Sequence, residues 1–360
     1  MRPSVEIGVL FSRSGSYALI SEACRKGALS AVDLVNADDR FPFRLVAVER
    51  DPRGNVDQYG PLCAEILTQS AARHIVGCVT SWSRKEVIPT LEKCGGALWY
   101  PCPYEGFEAS DHVVYTHACP NQHLLPLLAW AFPRFGRKVY LTGSNYIWGW
   151  EINRVARDRV LAADGAVTGE RYLPIGDTDV AHIIEELKAV RPSFVLNSLI
   201  GPSAYEFLKA YKALGIQDAH FRPDVCPVLS CNLTECELGV LGDAGEGLIS
   251  AGPYFRQEDG AFGSSFEAAS HDAVRTIALR LAAHADPSAA RLPELLQRPV
   301  EGGLAIDPET HHVTLPALIA QVRGGRFRVL DTHPSVAPDP YLSRPDRQPA
   351  TTGPALRVVT

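Results

Sequence analysis

Short apolar runs alternate with longer amphipathic segments along most of the chain. Residues 5–11 form the first apolar run, a polar stretch follows at 12–16, and apolar residues then recur at helical spacing over 17–36. The same pattern predicts further strands at 43–49, 74–79, 97–100, 113–116, 138–142, 171–173, 194–198, 228–230, 304–306, 314–322 and 327–330, and the second half of the alternation ends near 248–252. It predicts further helices at 56–70, 84–94, 124–132, 151–164, 180–190, 205–214, 266–284 and 293–296. Repeated strand, loop and helix indicate parallel sheets covered by helices on both faces.

The length of the chain indicates more than one hydrophobic core. At 360 residues it is long for a single domain, and the strand–helix alternation restarts after residue 119. We therefore expect an α/β fold of two doubly wound parallel-sheet lobes with a ligand cleft between them. Lobe 1 is predicted at 1–119 and 252–303, lobe 2 at 120–251 and 304–338, and a loosely ordered tail at 339–360.

Composition narrows the class of protein. Hydrophobic residues make up 46% and charged residues 21% of the chain, and the net charge is −6, which argues against direct nucleic-acid binding. We see no signal-peptide pattern and no apolar stretch of membrane-spanning length. The 9 cysteines are scattered and odd in number, with no zinc-site spacing, which fits a reducing compartment. These features predict a cytoplasmic protein with no cofactor and no metal.

The segment 99–107, Trp-Tyr-Pro-Cys-Pro-Tyr-Glu-Gly-Phe, is the strongest candidate for a ligand-binding loop. It follows a predicted buried strand, and its two prolines make it stiff. Stiff loops that carry amphipathic aromatic residues at strand ends commonly hold small ligands. The alternative is that Tyr100 and Tyr104 only cover the hydrophobic core.

Other loops after predicted strands offer neutral hydrogen-bonding groups. Ser14, Thr80 and Ser81 supply hydroxyls in the first half of the chain, although Ser81 can equally serve as the N-cap of the next helix. In the second half, Tyr146 and Trp148 lie in an aromatic segment at 143–150, where they cover either the lobe or a ligand. Walker and Gly-x-Gly-x-x-Gly patterns are missing, so the sequence gives little support for nucleotide binding.

Cys102 is the one candidate nucleophile. His117 and Glu105 are near it in sequence, but the thiol has no evident group that would stabilise its thiolate. We therefore place a cysteine-dependent amidase third, after the two binding-protein functions given below. We expect that the chain is not an enzyme.

Several segments carry a resemblance to a known family. They are 77–85 (Gly-Cys-Val-Thr-Ser-Trp-Ser-Arg-Lys), 100–107, 120–122 and 143–147, with the carboxyl-terminal stretch from 306 to 341. These segments resemble the cytoplasmic amide sensors that negatively regulate aliphatic amidase operons, and also the urea and short-chain amide binding proteins of ABC transporters. The resemblance covers nearly the whole chain, and it implies the type I periplasmic-binding-protein fold with three hinge crossings between the lobes.

The resemblance also implies a set of ligand-binding residues. Ser81, Tyr100 and Cys102 match pocket residues of the first lobe, and Tyr146 and Trp148 match aromatic residues of the second. Val79 and Cys102 depart from the amide-sensor pattern, which has an aromatic and a hydroxyl residue there. The complete predicted set is Ser14, Val79, Thr80, Ser81, Tyr100, Cys102, Pro103, Tyr104, Tyr146, Trp148 and Asn232.

Two functions of a binding protein follow as hypotheses. In the first, the chain senses a small amide or urea-like molecule, and hinge closure controls an RNA-binding antitermination regulator protein and thereby amide-catabolic genes. In the second, it is the substrate-binding protein of an ABC transporter for urea or short-chain amides. The sequence leaves open whether the chain forms homo-oligomers.

Overall fold

The chain divides into two compact units. The computed structural model describes residues 2–106, 108–297 and 299–344. Unit 1 comprises the described residues of Met1–Cys119, Thr234–Glu237 and Tyr254–Leu315, and unit 2 those of Pro120–Leu233, Leu238–Pro253 and Pro316–Thr360. Residues 304–315 thus belong to unit 1, whereas the sequence placed them in lobe 2. Most of the predicted tail, residues 345–360, lies outside the described residues.

Two sheets form the centres of the units. The strands are β1 (Ser4–Leu10), β2 (Arg44–Arg50), β3 (His74–Gly77), β4 (Ala97–Tyr100), β5 (Val113–Tyr115), β6 (Lys138–Ser144), β7 (Ala166–Leu173), β8 (Phe194–Ser198), β9 (Val228–Ser230), β10 (Ile249–Gly252), β11 (Leu315–Arg323) and β12 (Arg326–Val336). The first sheet has the order β2-β1-β3-β4-β5, and the second has the order β12-β11-β10-β9-β8-β6-β7. All pairs in the first sheet are parallel.

The second sheet is mixed. Strands β7, β6, β8, β9 and β10 pair in parallel, and β11 runs antiparallel to β10. Gly324 and Gly325 join β11 to β12, and both have positive φ angles, of 60° and 71°. Two consecutive residues with positive φ are the requirement of a tight two-residue hairpin turn, so glycine fits both positions.

The helices occupy the positions between the strands. They are α1 (Ala18–Ala37), α2 (Tyr59–Gln69), α3 (Ser81–Cys94), α4 (Leu124–Phe135), α5 (Ile147–Ala162), α6 (Ala181–Val190), α7 (Pro202–Gln217), α8 (Glu235–Leu241), α9 (Ser265–Ala282) and α10 (Leu292–Leu296). Each unit has its own hydrophobic core. In unit 1, α1 and α9 approach closely at Gly27, where a Cβ atom would lie 2.1 Å from the Glu267 carbonyl oxygen.

The predicted α/β class is confirmed, and the differences lie at element boundaries. Residues 304–306 were predicted as a strand, but Ile306 makes only an isolated bridge to Val313. Helix α3 begins at Ser81 rather than at 84, and α5 begins at Ile147 rather than at 151. Helix α8 was not predicted, because its short sequence shows little apolar periodicity.

Candidate functional site

The predicted loops of unit 1 follow adjacent parallel strands. Strands β1, β3 and β4 are neighbours in the sheet, so their carboxyl ends lie at the same edge. The ends of these strands and the segments after them contain eight of the predicted ligand-binding residues, namely Ser14, Val79, Thr80, Ser81, Tyr100, Cys102, Pro103 and Tyr104. In open parallel sheets this edge is where ligands usually bind. We therefore take it as the candidate site of unit 1.

A sharp turn connects β3 to α3. Cys78 has a φ angle of 66°, a left-handed conformation that a non-glycine residue adopts at a cost. Thr80 is the N-cap of α3, and its side chain accepts a hydrogen bond from the Ser83 amide. The Ser83 hydroxyl in turn contacts the Thr80 amide, which completes a capping box. The interpretation of Ser81 as the N-cap is therefore wrong, because Thr80 already has that role.

Ser81 is the first residue of α3 and has an unusual environment. Its side chain is buried, with 1% exposed, and in the described part of the chain its hydroxyl finds no hydrogen-bond partner. A buried hydroxyl without a partner costs free energy, so a ligand that bonded to it would regain that cost.

The hydroxyls of both tyrosines in the predicted loop make bonds within the protein. Tyr100 donates to the Val79 carbonyl at 2.6 Å, and Tyr104 contacts the main chain of Glu108. Both side chains are almost fully buried. Because its proton is already donated, the Tyr100 hydroxyl has only a lone pair to offer a ligand.

A buried arginine holds this loop in place. Arg84 on α3 lies 2.6 Å from Glu105 and 2.7 Å from Glu108, and it has no exposed side-chain area. Its guanidinium also lies over the rings of Tyr100 and Tyr104, 4.7 and 5.2 Å from their centroids. The arginine thus connects the start of α3 to the middle of the segment between β4 and β5.

The charges of this cluster balance. Lys85 lies 2.7 Å from the second oxygen of Glu108, so two cations face two carboxylates. Burial tends to raise the pKa of Glu108, but the charges and hydrogen bonds of Arg84 and Lys85 outweigh it and lower the pKa to about 2. Burial likewise opposes the charge of Arg84, and the two carboxylates raise its pKa above the ordinary value. The cluster therefore adds little net charge to the candidate site.

The geometry does not provide Cys102 with a catalytic base. Its sulfur lies 3.8 Å from the Cys78 carbonyl and 3.9 Å from the sulfur of Cys24. Glu105 pairs with Arg84, and the His117 ring contacts the Ser265 hydroxyl at 3.2 Å. The two groups that are near the thiol in sequence thus have other partners, so the amidase hypothesis lacks the base that it requires.

The remaining predicted residues of unit 1 differ in exposure. Pro103 is buried beside Cys102, and Val79 is 8% exposed. Ser14 is exposed, in a loop where Gly15 and Gly54 pack backbone against backbone. Ser14 is therefore the predicted residue that water reaches most easily.

In unit 2, the aromatic segment 143–150 is the end of a strand and the first turn of a helix. Tyr146 is the N-cap of α5, and Trp148 lies in the first turn rather than in a loop. Trp148 is buried, and among the described residues its indole nitrogen has no hydrogen-bond partner. Trp150 is 44% exposed and donates to the Asn145 side chain. A buried indole donor without a partner is the counterpart of Ser81 in unit 2.

Asn232 serves the loops of unit 2. Its amide nitrogen donates to the Leu199 carbonyl at 3.0 Å, and its oxygen accepts from the Ser230 hydroxyl at 3.2 Å. These bonds join the segments after β8 and β9. A structural role in these loops therefore accounts for both hydrogen bonds of the Asn232 side chain.

Sequence reasoning missed two parts of the loop's surroundings. It noted Glu105 but did not predict the partnership of Arg84 with Glu105 and Glu108. It also did not predict that His312 stacks on Tyr115, with 4.2 Å between ring centroids. His312 is fully buried, and in the described residues neither of its ring nitrogens has a hydrogen-bond partner. Burial lowers the pKa of His312 well below its usual value, so the ring stays neutral.

A cavity of about 410 Å³ in unit 2 is separate from all predicted residues. It lies beside α7, and its lining includes Tyr211, Phe221, Val228 and Leu248. Val228 and Leu248 mark the amino-terminal starts of β9 and β10, the opposite ends from those that usually bind ligands. We therefore do not assign the candidate site to this cavity.

The described residues contain neither a membrane-spanning helix nor a metal-binding cluster. No helix there combines the length and the apolar character that a bilayer crossing requires. No cluster of three or more His, Cys, Asp or Glu side chains there could hold a metal ion.

Solved structures of solute-binding proteins share this fold. One from Rhodopseudomonas palustris HaA2, in complex with p-hydroxybenzoic acid, is 21% identical with a TM-score of 0.79, over 92% of this chain and 97% of that one. Another from R. palustris, in complex with benzoate, is 19% identical with a TM-score of 0.80, over 94% and 99%. A branched-chain amino acid transporter substrate-binding protein from Streptococcus pneumoniae, in complex with isoleucine, is 17% identical with a TM-score of 0.75, over 93% and 100%.

The family comparison agrees with the fold. The model for the periplasmic binding protein domain matches residues 5–347, nearly the whole chain. Its members bind small ligands and do not catalyse reactions, so the expectation that the chain is not an enzyme is confirmed. The structures named above are transporter solute-binding proteins, and they do not support the finer resemblance to regulators of amidase operons. The two-sheet α/β fold and the match over 5–347 together establish that this chain belongs to the periplasmic binding protein domain family.

Proposed function

We propose that this protein is the substrate-binding component of an ABC transporter for a small neutral solute that forms hydrogen bonds, a short aliphatic amide or urea. The observation that carries the proposal is the buried Ser81 hydroxyl, which lacks a partner among the described residues and begins helix α3. An amide or urea has both a carbonyl acceptor and NH₂ donors, and either can pair with a hydroxyl.

The balanced charge of the Arg84 cluster favours a neutral ligand. Arg84 and Lys85 are already paired with Glu105 and Glu108, so neither cation is left for a carboxylate ligand. A buried carboxylate beside this cluster would add an uncompensated charge. The solved relatives in complex with benzoate and isoleucine bind acids, and these two ligands are therefore the informative competitors.

A thermal-shift series tests the ligand class. Urea, acetamide and butyramide should raise the unfolding temperature as ligand concentration rises, since a ligand at 100 times its Kd stabilises the folded state by about 2.7 kcal/mol. Benzoate and isoleucine serve as competitors at the same concentrations. Stabilisation by the acids without stabilisation by the amides would contradict the proposal.

A substitution at Ser81 tests the position of the ligand. Ser81→Ala should weaken amide binding by about 0.5–1.5 kcal/mol, since one hydrogen bond is lost. The matched control is Ser70→Ala in the turn before β3, at the other end of the same strand, where the hydroxyl bonds the Ile66 carbonyl. Calorimetric Kd values that change equally in both variants would remove Ser81 from the site.

The state of the cysteines favours a second candidate function. All 9 are free thiols and 7 of them are buried, a state that suits a reducing compartment. This observation favours a cytoplasmic amide sensor that acts on an RNA-binding antitermination regulator. Fractionation of the native host against a cytoplasmic marker distinguishes the two roles, since recovery outside the cytoplasm contradicts the sensor.

A further inference from the structure

Two buried thiols of unit 1 lie close together although they are 78 positions apart in the chain. The sulfur atoms of Cys24 and Cys102 are separated by 3.9 Å. Cys24 is in α1 and has no exposed area, and Cys102 is 2% exposed. Cys102 lies between Pro101 and Pro103, whose rings restrict the backbone on both sides of it. The two thiols therefore stay near each other for as long as unit 1 is folded.

We propose that Cys24 and Cys102 are a redox site, and that they form a disulfide bond when the chain meets a small-molecule disulfide such as oxidised glutathione. A disulfide has a sulfur–sulfur distance of about 2.05 Å, so the two atoms must approach by about 1.9 Å. Rotation of the two side chains supplies a movement of this size. The bond joins helix α1 to the loop that follows β4.

The reaction balances as two thiol–disulfide exchanges. The thiolate of one cysteine first attacks a sulfur of oxidised glutathione, which forms a mixed disulfide and releases one glutathione thiolate. The second cysteine, as its thiolate, then attacks the protein sulfur of the mixed disulfide and releases the second glutathione thiolate. The two protons that the cysteines lose go to the two released glutathione thiolates. Two protein thiols are oxidised and one glutathione disulfide is reduced.

Burial decides when this reaction is fast. Burial, together with the neighbouring Cys102, raises the pKa of the Cys24 thiol well above its ordinary value, so the reactive thiolate is scarce in the folded protein. The thiols are accessible before unit 1 closes around them. The bond therefore forms during folding in an oxidising environment, whereas the folded and reduced protein resists the oxidant.

The disulfide affects how the loop after β4 is held and does not involve the ligand. The disulfide replaces the weak contact between the Cys102 thiol and the Cys78 carbonyl, and it fixes the segment after β4 to α1. A cross-link between positions this far apart restricts the unfolded chain strongly. The oxidised protein should therefore unfold at a higher temperature than the reduced protein. This inference does not depend on which ligand the protein binds.

Refolding of the full-length protein provides the test. The denatured chain is refolded either in dithiothreitol or in a buffer of oxidised and reduced glutathione, and thiols are then counted in denaturant. We expect 9 thiols after the reducing route, the number in the sequence. We expect two fewer after the oxidising route, with an intact mass lower by about 2 Da and a non-reduced peptide that links Cys24 to Cys102.

Matched variants locate the pair. Cys24→Ala and Cys102→Ala should each abolish the loss of two thiols, whereas Cys231→Ala, a buried cysteine of unit 2, should leave it intact. The peptide map of the wild-type protein needs no variant, so it remains decisive if a variant does not fold. Retention of all thiols in the oxidised sample, or a disulfide that maps to Cys24–Cys236 or Cys63–Cys94 instead, would overturn the proposal.

Discussion

Each unit contains an arginine that lies against a carboxylate, and the two pairs differ in how far water reaches them. In unit 1, Arg84 has no exposed side-chain area and Glu108 has 8%. In unit 2, Arg191 lies 2.6 Å from Asp218, with 49% and 35% of the side chains exposed. The pKa of Asp218 is lowered to about 2, mainly by its hydrogen bond from Arg191. Glu108 reaches the same value of about 2, although its burial acts in the opposite direction.

Equal pKa values therefore do not imply equal contributions to the fold. An exposed pair loses little when one partner is removed, because water solvates the charge that remains. A buried pair leaves a charge that water cannot reach, which is strongly destabilising. The structure assigns the buried pair to the loop of the candidate site and the exposed pair to a surface connection. The four predictions below test that difference.

The largest effect is expected from removal of the buried arginine. Arg84→Met should lower the free energy of unfolding by about 3–5 kcal/mol, because Glu105 and Glu108 would then be buried without a cation. Arg191→Met is the matched control, and its urea midpoint should stay within error of the wild type. Urea unfolding followed by circular dichroism measures both. Equal losses in the two variants would remove the distinction between the pairs.

The pH dependence of the unfolding free energy should show the contribution of the buried Glu108 carboxylate. The pKa of Glu108 is lower in the folded protein than its ordinary value of 4.5, so the carboxylate stabilises the fold above pH 4.5, and this contribution is lost as the pH falls towards 2. The advantage of the wild type over Glu108→Gln should shrink by about 3 kcal/mol across that window. Stability measured from pH 6 to pH 2 checks this. An advantage that stays constant with pH would mean that folding does not lower the pKa of Glu108.

A smaller effect is expected at the cap of the helix that carries Arg84. Thr80→Ala removes the capping box with Ser83 and should cost about 1 kcal/mol. Thr68→Ala, an exposed threonine near the end of α2, should leave the unfolding free energy nearly unchanged. Urea midpoints compare the two variants. A neutral Thr80→Ala variant would show that tertiary contacts alone fix the start of α3.

The smallest effect is a response to salt. Exposed charges are screened at 1 M salt, where the Debye length is about 3 Å, and buried ones much less. The pKa of Asp218 should therefore rise towards its ordinary value of 3.8, whereas that of Glu108 should stay low. Carboxyl chemical shifts in NMR titrations at 0.05 and 1 M salt would follow both groups. Parallel movement of the two pKa values would place Glu108 within reach of solvent.

Much of the fold could be predicted from local pattern. Strands such as β4 and β8 were predicted with their observed bounds, because short buried runs between turn residues admit few alternatives. Boundaries were less accurate where polar and aromatic residues begin a helix. Helices α3 and α5 both start earlier than predicted, since Ser81 and Trp148 interrupt the apolar periodicity while their backbones are already helical.

The candidate site was predictable as a set of loops but not as a network. The order of strands and loops indicates that the segments after β1, β3 and β4 share an edge. It does not indicate that Tyr100 donates to the Val79 carbonyl or that Ser81 keeps a hydroxyl without a partner in the described structure. Such details depend on distances of a few tenths of an ångström between side chains from different elements.

The sequence by itself determined the alternation of strands and helices, the α/β class and the absence of a nucleotide-binding motif, because these depend on neighbouring residues. Only the tertiary structure decided which polar groups of the segment 99–107 have partners. Arg84 meets Glu105 from 21 positions away, and Cys102 meets Cys24 from 78 positions away. Packing brings such groups together. Because water does not compete for buried groups, each buried contact or unpaired polar group then has a larger effect on the free energy of the fold.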